Sequence, residues 1–350
     1  MKAQLRVLGK ARVIAVVALV ALLAMASSGA SAVRDKQAQL ETVDIGHIAS
    51  SLFLAVYVAE AKGYFAKQGI QPKFTTVGSA TTVITGDVDL FISSLDTAII
   101  DAGAGKPTPA IAIIQQRNAL GLFVRADKAV TGKYPANVQK MKGFVVGTTR
   151  RASGADPFLL STFGHAGLRE GQDFTITALG TGPNLMAALQ SKRIDAAMLF
   201  PPFDAQAVNQ GLVKPVVQQA LNNGPADVSQ LYGSAVMANK EWLAKNPALA
   251  GRVVVALNQA LRYLHDWKGN SRGIFRIAKQ YTGITDDKAL AQSLKMVSTL
   301  ATNGLTCARL GVQVKLDTQY GLVGTKPSCD DVRDLKYLKS PAFYAKQNKK

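Results

Sequence analysis

The chain has 350 residues, 48% of them hydrophobic, enough for one large core or two of medium size. It carries 41 Lys and Arg against 23 Asp and Glu, a formal net charge of +18. Such a balance suits nucleic acid or a membrane surface. The basic residues are scattered, however, with the nearest thing to a cluster at Lys346, Lys349 and Lys350, and scattered lysines read as a solvated face.

The amino terminus narrows the reading. Residues 1–12 carry Lys2, Arg6, Lys10 and Arg12 and no acid, residues 13–25 are apolar, and a small-residue stretch ends at Ala30-Ser31-Ala32. This is the three-part order of a secretory signal peptide, and its apolar run is short for a membrane span. A leader over 1–32 and a mature chain from about Val33 are expected, with no cysteine near the cleavage point to carry a lipid. An exported chain rarely meets nucleic acid, so that partner is set aside, while the charge still draws anionic solutes. In an oxidising compartment Cys307 and Cys329 read as a disulfide, worth on the order of 3 kcal/mol. A reactive thiol lacks a neighbouring histidine or a Cys-x-x-Cys spacing.

Apolar patterning then lays out the elements. A strand over 42–46 leads into a polar turn at 47–51 and a helix over 52–67, with Leu54, Val58, Ala61 and Phe65 on one face and Gly69 as its stop. A strand at 73–77 follows, then a short helix opened by Gly78-Ser79 and closed by Gly86. After a strand at 90–92, Ser93-Ser94-Leu95-Asp96 caps the next helix. Strands at 110–114 and 120–124 close this half. The alternation then restarts, with strands at 144–147, 174–179, 196–200 and 213–217. Between them lie helices at 156–166 and 184–190, and one opened by Pro201-Pro202-Phe203-Asp204. Strands alternating with helices predict parallel or mixed sheets covered on both faces. From Ser234 the chain is largely helical, with core-packing stripes over 252–267 and 288–300.

Two stretches echo each other: Gly78-Ser79 through Ile92, and Gly180-Thr181 through Met198. Each runs from a Gly/Ser/Thr turn through a short helix to an aspartate, Asp89 or Asp195, and an apolar strand. Their spacings differ, so the likeness is architectural, and it predicts two lobes of like construction. Ligands in open α/β sheets sit beyond the carboxyl ends of the strands, so two facing lobes make a cleft lined by strand-end turns. The turn Gly147-Thr148-Thr149-Arg150-Arg151-Ala152-Ser153 is the leading candidate. It joins a buried strand to a helix start, where free backbone N–H groups and the helix dipole favour an anion. Arginine adds a planar fork of donors for a carboxylate, sulfonate or phosphate.

Reactive chemistry is sparse. His47, His165 and His265 lie far apart, and there is no H-E-x-x-H, G-x-S-x-G or S-x-x-K motif. Gly103-Ala104-Gly105-Lys106-Pro107 lacks the first glycine of a phosphate loop and has proline where Ser or Thr holds magnesium. Asp89 and Asp195 stand at strand entrances, the wrong end for a site at strand carboxyl ends, and read as structural. No metal, cofactor or catalytic residue is expected. What remains is a set of uncharged hydrogen-bonding groups at predicted strand ends: Ser50, Ser51, Ser93, Gln115, Thr149 and Ser153. Together they describe a grip on a small polar molecule.

The motifs resemble a known family. Ala59-Glu60-Ala61-Lys62-Gly63-Tyr64-Phe65-Ala66-Lys67-Gln68-Gly69-Ile70 resembles the A-x-x-x-G-Y/F-F-x-x-x-G-L/I opening of periplasmic solute-binding proteins. The branch is the nitrate/sulfonate/taurine type, which includes binders of a thiamine pyrimidine precursor and of aromatic carboxylates. Gly86-Asp87-Val88-Asp89-Leu90, Val146-Gly147-Thr148, Gly167-Leu168, Ala187-Ala188-Leu189 and Ile194-Asp195-Ala196-Ala197 fit the same order. The resemblance implies a two-lobed α/β periplasmic-binding-protein fold (type II-like), each lobe a mixed sheet flanked by helices. Lobe one is expected over 33–122 plus 234–350 and lobe two over 123–233, with crossings near 119–127 and 218–233. It further implies a monomeric periplasmic protein that hands a small-molecule ligand to an ABC-transporter permease in the inner membrane.

Carried over by position, the family's ligand turns fall at His47, Ser50 and Ser51, at Ser79, at Ser93 and Asp96, at Gln115, at 148–153, and at Pro201 and Phe203. Arg150-Arg151-Ala152-Ser153 departs from the glycine that often follows the arginine there. The first reading is a small organic anion, a sulfonate or carboxylate, with Arg150 or Arg151 as counter-ion. The alternative is a neutral or cationic heterocycle such as the pyrimidine precursor, gripped by Phe203 and Tyr232. A second alternative is an exported enzyme on the same scaffold.

Overall fold

The computed structural model describes residues 40–77, 79–340 and 343–344. The expected leader, the start near Val33 and the tail lysines lie outside the described residues. Within them, ten strands run in chain order: β1 (Glu41–His47), β2 (Ile70–Thr76), β3 (Leu90–Ser94), β4 (Ala110–Ile113), β5 (Gly121–Arg125), β6 (Phe144–Thr148), β7 (Phe174–Ala178), β8 (Ala196–Leu199), β9 (Val213–Gln218) and β10 (Ser234–Ala238). They form two five-stranded sheets of order β2-β1-β3-β10-β4 and β7-β6-β8-β5-β9. In the first, β1 and β3 are parallel and β10 is antiparallel to β3 and β4. In the second, β6 is parallel to β7 and β8, and β5 is antiparallel to β8 and β9.

Both sheets therefore follow one plan, and the antiparallel strand of each is the first strand laid down after the chain crosses over. The chain passes to the second sheet between Ile113 and Gly121 and returns between Gln218 and Ser234. The first passage precedes the expected 119–127, because 121–125 is itself a fully buried strand. Strands β4 and β8, Ala-Ile-Ala-Ile and Ala-Ala-Met-Leu, are buried at every position, the pattern of strands covered on both faces.

The echoed stretches occupy equivalent places, each leading into the third strand of its sheet. Their aspartates do the same work. Asp89 Oδ2 accepts from Asp44 N at 2.8 Å in the first sheet, and Asp195 Oδ2 from Val145 N at 3.0 Å in the second. Each carboxylate ties the entrance of one strand to its neighbour, far from the strand ends that carry the cleft.

Eight helices matter for the site: α1 (Leu54–Ala61), α2 (Leu95–Gly103), α3 (Ala155–His165), α4 (Phe203–Asn209), α5 (Pro247–His265), α6 (Trp267–Thr282), α7 (Asp287–Leu300) and α8 (Cys307–Gln319). The helix expected over 52–67 is interrupted. Gly63 takes φ 67°, a left-handed conformation that ends α1 before a short helix Tyr64–Lys67. Pro201 and Pro202 precede α4 instead of opening it, since a residue before proline is driven out of the helical region. The stripes Leu257, Leu261 and Leu264 and Leu290, Leu294 and Val297 are buried. Helices α6 and α8 were not read from the sequence. Although assigned to lobe one by sequence, the C-terminal part also meets the second sheet's helices. Helix α7 packs on α4, where Asn209 Nδ2 donates to Gln292 Oε1 at 3.0 Å. One apolar cluster runs from Val43 and Leu54 through Phe123 and Leu199 to Leu294, and a second, with Leu95, Ile99, Leu310 and Val332, covers another face of the first sheet. Cys307 and Cys329 form a disulfide, joining the first residue of α8 to the chain 22 residues on.

Candidate functional site

The carboxyl ends of β1, β3, β6 and β8 converge on a cavity of about 80 Å³ between the lobes. Its polar wall is built by Ser50, Ser93, Ser94, Thr149, Arg150 and Ser153, and its apolar wall by Leu52, Phe53, Leu120, Met198 and Phe200. Direct hydrogen bonds cross it. Gly154 N donates to Ser94 Oγ at 2.9 Å, and Ser50 Oγ lies 3.5 Å from the Pro201 carbonyl. The lobes thus stand together.

Arg150 is the charge in this wall. Its Nη2 donates to Ser93 Oγ at 2.8 Å and Thr97 Oγ1 at 3.0 Å, and the guanidinium lies 5.9 Å from the Phe91 ring centroid. All three partners belong to the first lobe, so Arg150 reaches across the cleft. Among the described residues it makes no ion pair. Burial pushes its pKa down, while the more distant Asp101 and Asp156 oppose that push. A guanidinium with neutral acceptors on one nitrogen and no carboxylate partner is a ready counter-ion.

Arg151 faces the other way. Its Nε donates to Asp156 Oδ1 at 2.6 Å, and Nη1 and Nη2 form a fork with Glu170 at 2.7 and 3.0 Å. Asp156 is fully buried and also accepts from Ala152 N. Its carboxylate thereby pins the turn from the first turn of α3. Ala152 takes φ 51°, the conformation a glycine would adopt at this place without strain. The backbone amides expected to be open to an anion are engaged: Gly154 N by Ser94, and Ala155 N by Ser153 Oγ at 3.4 Å. The cationic group that this turn presents to the cavity is therefore the Arg150 side chain.

Of the other candidates, Ser50, Ser93, Thr149 and Ser153 line the cavity. The rest lie elsewhere. His47 is buried behind it, with Nδ1 3.0 Å from Tyr57 Oη, and burial lowers its pKa. Ser51 is fully buried, and Asp96 accepts from Gln313 Nε2 at 2.7 Å, its pKa raised to about 6 by burial. Gln115 Oε1 accepts from Ser234 Oγ at 3.0 Å. Ser79 is exposed, and its Oγ accepts from Thr81 N two residues on at 3.1 Å. Pro201 contributes only its carbonyl, and Phe203 packs against Phe200 with centroids 5.4 Å apart. Tyr232 is 1% exposed and sits in the second apolar cluster, its hydroxyl accepting from Thr306 N at 2.9 Å. Neither proposed stacking residue, Phe203 or Tyr232, is on the cavity wall.

The sequence reading did not single out Asn118, Leu120, Met198, Phe200 or Ser234, all of which line the cavity. Ser234 opens β10, which runs antiparallel, so its amino end meets the cleft where the rule looks for carboxyl ends. Asn118 and Leu120 belong to the first crossing. Met198 and Phe200 are two apart at the end of β8, a period-2 signal that was available.

Two mixed sheets, each flanked by helices, joined by two crossings, define the periplasmic-binding-protein fold. The chain belongs to the NMT1-like family, whose profile matches residues 36–278. It is similar to the riboflavin-binding protein RibY of Chloroflexus aurantiacus, 24% identical over 250 residues, a match spanning 69% of this chain and 66% of that relative. Among solved structures it is similar to the alkanesulfonate-binding protein SsuA of Xanthomonas axonopodis pv. citri bound to MOPS, with a TM-score of 0.70 at 16% identity over 85% of this chain and 99% of that one. The periplasmic nitrate-binding protein NrtA of Synechocystis PCC 6803 gives 0.65 at 16% identity, covering 89% and 88%. Among the described residues no helix is long and apolar enough to cross a membrane.

Proposed function

We propose that this is a monomeric periplasmic solute-binding protein that captures a small organic anion, a sulfonate or carboxylate, between its lobes and delivers it to an ABC-importer permease. The observation that carries the reading is Arg150: a guanidinium on the cavity wall, without a carboxylate partner among the described residues, opposite an apolar surface of Leu52, Phe53, Leu120, Met198 and Phe200. That combination suits an anionic head on a short apolar body. The fold shared with sulfonate- and nitrate-binding proteins supports the transport role. Ser50 Oγ accepts from Leu52 N, Ser153 Oγ donates to the Arg150 carbonyl, Ser93 Oγ accepts from Arg150 and His47 is held by Tyr57, an arrangement for binding rather than for turnover.

A second reading, a heterocyclic ligand, draws support from the riboflavin-binding relative and from Phe53 and Phe200 in the wall. A cavity of about 80 Å³ favours the smaller anion, since sites for drug-sized molecules run to roughly 300–1,000 Å³. A thermal-shift screen of the mature chain separates the two. Short alkanesulfonates and carboxylates are expected to stabilise it, by about 2.7 kcal/mol at a hundred times their Kd, while the matching neutral amides are not. Stabilisation by pyrimidines or riboflavin alone overturns the anion reading.

A further inference from the structure

Arg309 lies in the first turn of α8, away from the cavity, and is partly buried. Among the described residues it has no ion pair; its donors go to neutral acceptors on both crossings. From the first crossing, Gln116 accepts through its side-chain Oε1 at 3.2 Å and through its backbone carbonyl. From the second, the carbonyls of Gln230 at 2.5 Å and Leu231 at 3.4 Å accept, and the guanidinium lies over the Tyr232 ring 4.0 Å from its centroid. The crossings also meet directly. Gly233 N donates to Gln115 O at 3.1 Å, and a Cβ on Gly233 would stand 2.7 Å from the Arg117 carbonyl. One turn along α8, Gln313 Oε1 accepts from Tyr232 N at 2.9 Å. The base of α8 is itself fixed, by the Cys307–Cys329 disulfide and by Gln116 Nε2 donating to the Gly304 carbonyl at 2.7 Å.

Carbonyl directions follow from backbone φ/ψ. A hinge motion is a change of φ/ψ in the connecting segments, so it swings the Gln116 carbonyl relative to those of Gln230 and Leu231. A rigid planar fork satisfies both sets in one relative setting only, whereas a lysine is a point charge that cannot span them. We propose that Arg309 is a hinge clamp: it holds the two crossings in the setting seen here and so biases the lobes toward closure without touching the ligand. This rests on the reading that the lobes part and close around a solute, and the test is arranged so that the two can fail separately.

Arg309→Lys and Arg309→Gln are compared with wild type as mature, disulfide-intact proteins. In ligand-free protein, X-ray scattering is expected to give a larger radius of gyration for both variants, and amide exchange at 114–120 and 219–233 is expected to quicken at least tenfold, with exchange in the sheets unchanged. With 1-butanesulfonate as probe, affinity is expected to drop about tenfold. Unchanged scattering and crossing exchange in the lysine variant, which keeps the charge and most of the stem, overturns the clamp. So does exchange that rises uniformly through both sheets, the mark of a merely structural residue. If the probe fails to bind wild type while scattering and exchange respond, the anion reading falls and the clamp stands.

Discussion

Removing the Arg150 side chain is the sharpest test of the site. Arg150→Ala deletes two hydrogen bonds that cross the lobes, to Ser93 and Thr97, each worth roughly 1.5–3 kcal/mol because the donor is charged. It also leaves a bound anion unpaired in a largely apolar cavity, and truncating one partner of a buried charge pair costs about 2–5 kcal/mol. Taking the middle of that range, Kd for the anion is expected to rise on the order of 100- to 1,000-fold. Arg150→Lys keeps the charge and loses the fork, so an intermediate loss of about tenfold is expected. Arg151→Ala is the control. Its partners are Asp156 and Glu170 and its side chain is 42% exposed, so stability should drop while affinity changes less than about threefold. Titration calorimetry with the anion found in the screen reads Kd, and circular dichroism reads folding. The reasoning is refuted if Arg150→Ala stays within about threefold of wild type while Arg151→Ala abolishes binding.

Three further outcomes are expected. Burial raises the Asp96 carboxyl from 3.8 to about 6, so the folded protein binds a proton there that the unfolded chain has lost. Its contribution is neutral below about pH 4 and increasingly unfavourable up to about pH 6, by on the order of 3 kcal/mol. Asp96→Asn, which keeps an acceptor for Gln313, is expected to gain up to that amount at pH 7 and nothing at pH 4, and parallel denaturant profiles for variant and wild type sink the argument. A Cβ on Gly154 would stand 2.7 Å from Asp96 Oδ2 and 2.8 Å from Ser94 Oγ, so Gly154→Ala is expected to push the lobes apart and lower affinity at least tenfold, with a larger radius of gyration in ligand-free scattering. Ala152→Gly relieves a left-handed alanine and is expected to raise stability by roughly 0.5–1 kcal/mol; an unchanged or lower melting temperature counts against that strain.

The two-lobed architecture was legible because buried strands read as apolar runs and the Asp89 and Asp195 stretches repeat in equivalent places. The polar half of the cavity was legible for the same reason: Ser93 lies in the last residues of a parallel strand, and Ser50, Thr149, Arg150 and Ser153 follow the carboxyl ends of two others. The apolar half was not, since Met198 and Phe200 look like core until the opposing lobe leaves them facing a void. The choice between Arg150 and Arg151 was also hidden. It turns on Asp156 and on Glu170, which lies 19 residues from Arg151 and pairs with it. Ser234 and Arg309 act through strand order and chain crossings, which are long-range properties that no local window contains.

The contacts already made across the cleft bear on how an anion would be selected. Gly154 to Ser94, Ser50 to Pro201, and Arg150 to Ser93 and Thr97 join the lobes directly. A ligand shifts a conformational equilibrium only by its difference in affinity for the two states. The apolar wall includes Leu52 and Phe53 from one lobe and Met198 and Phe200 from the other, so a neutral body gains part of its contact on either lobe before closure. Arg150 is different. It sits on the second lobe, yet its hydrogen-bonding partners belong to the first, so an anion paired with it meets Ser93 and the start of α2 only when the lobes come together. If the ligand is the proposed anion, its charge would be read most strongly at the closing step, where water is excluded and electrostatic contacts strengthen, and apolar shape mainly at docking. On the proposed reading, this division would place specificity for the anionic head in Arg150, the cationic side chain on the cavity wall that bonds to the opposite lobe.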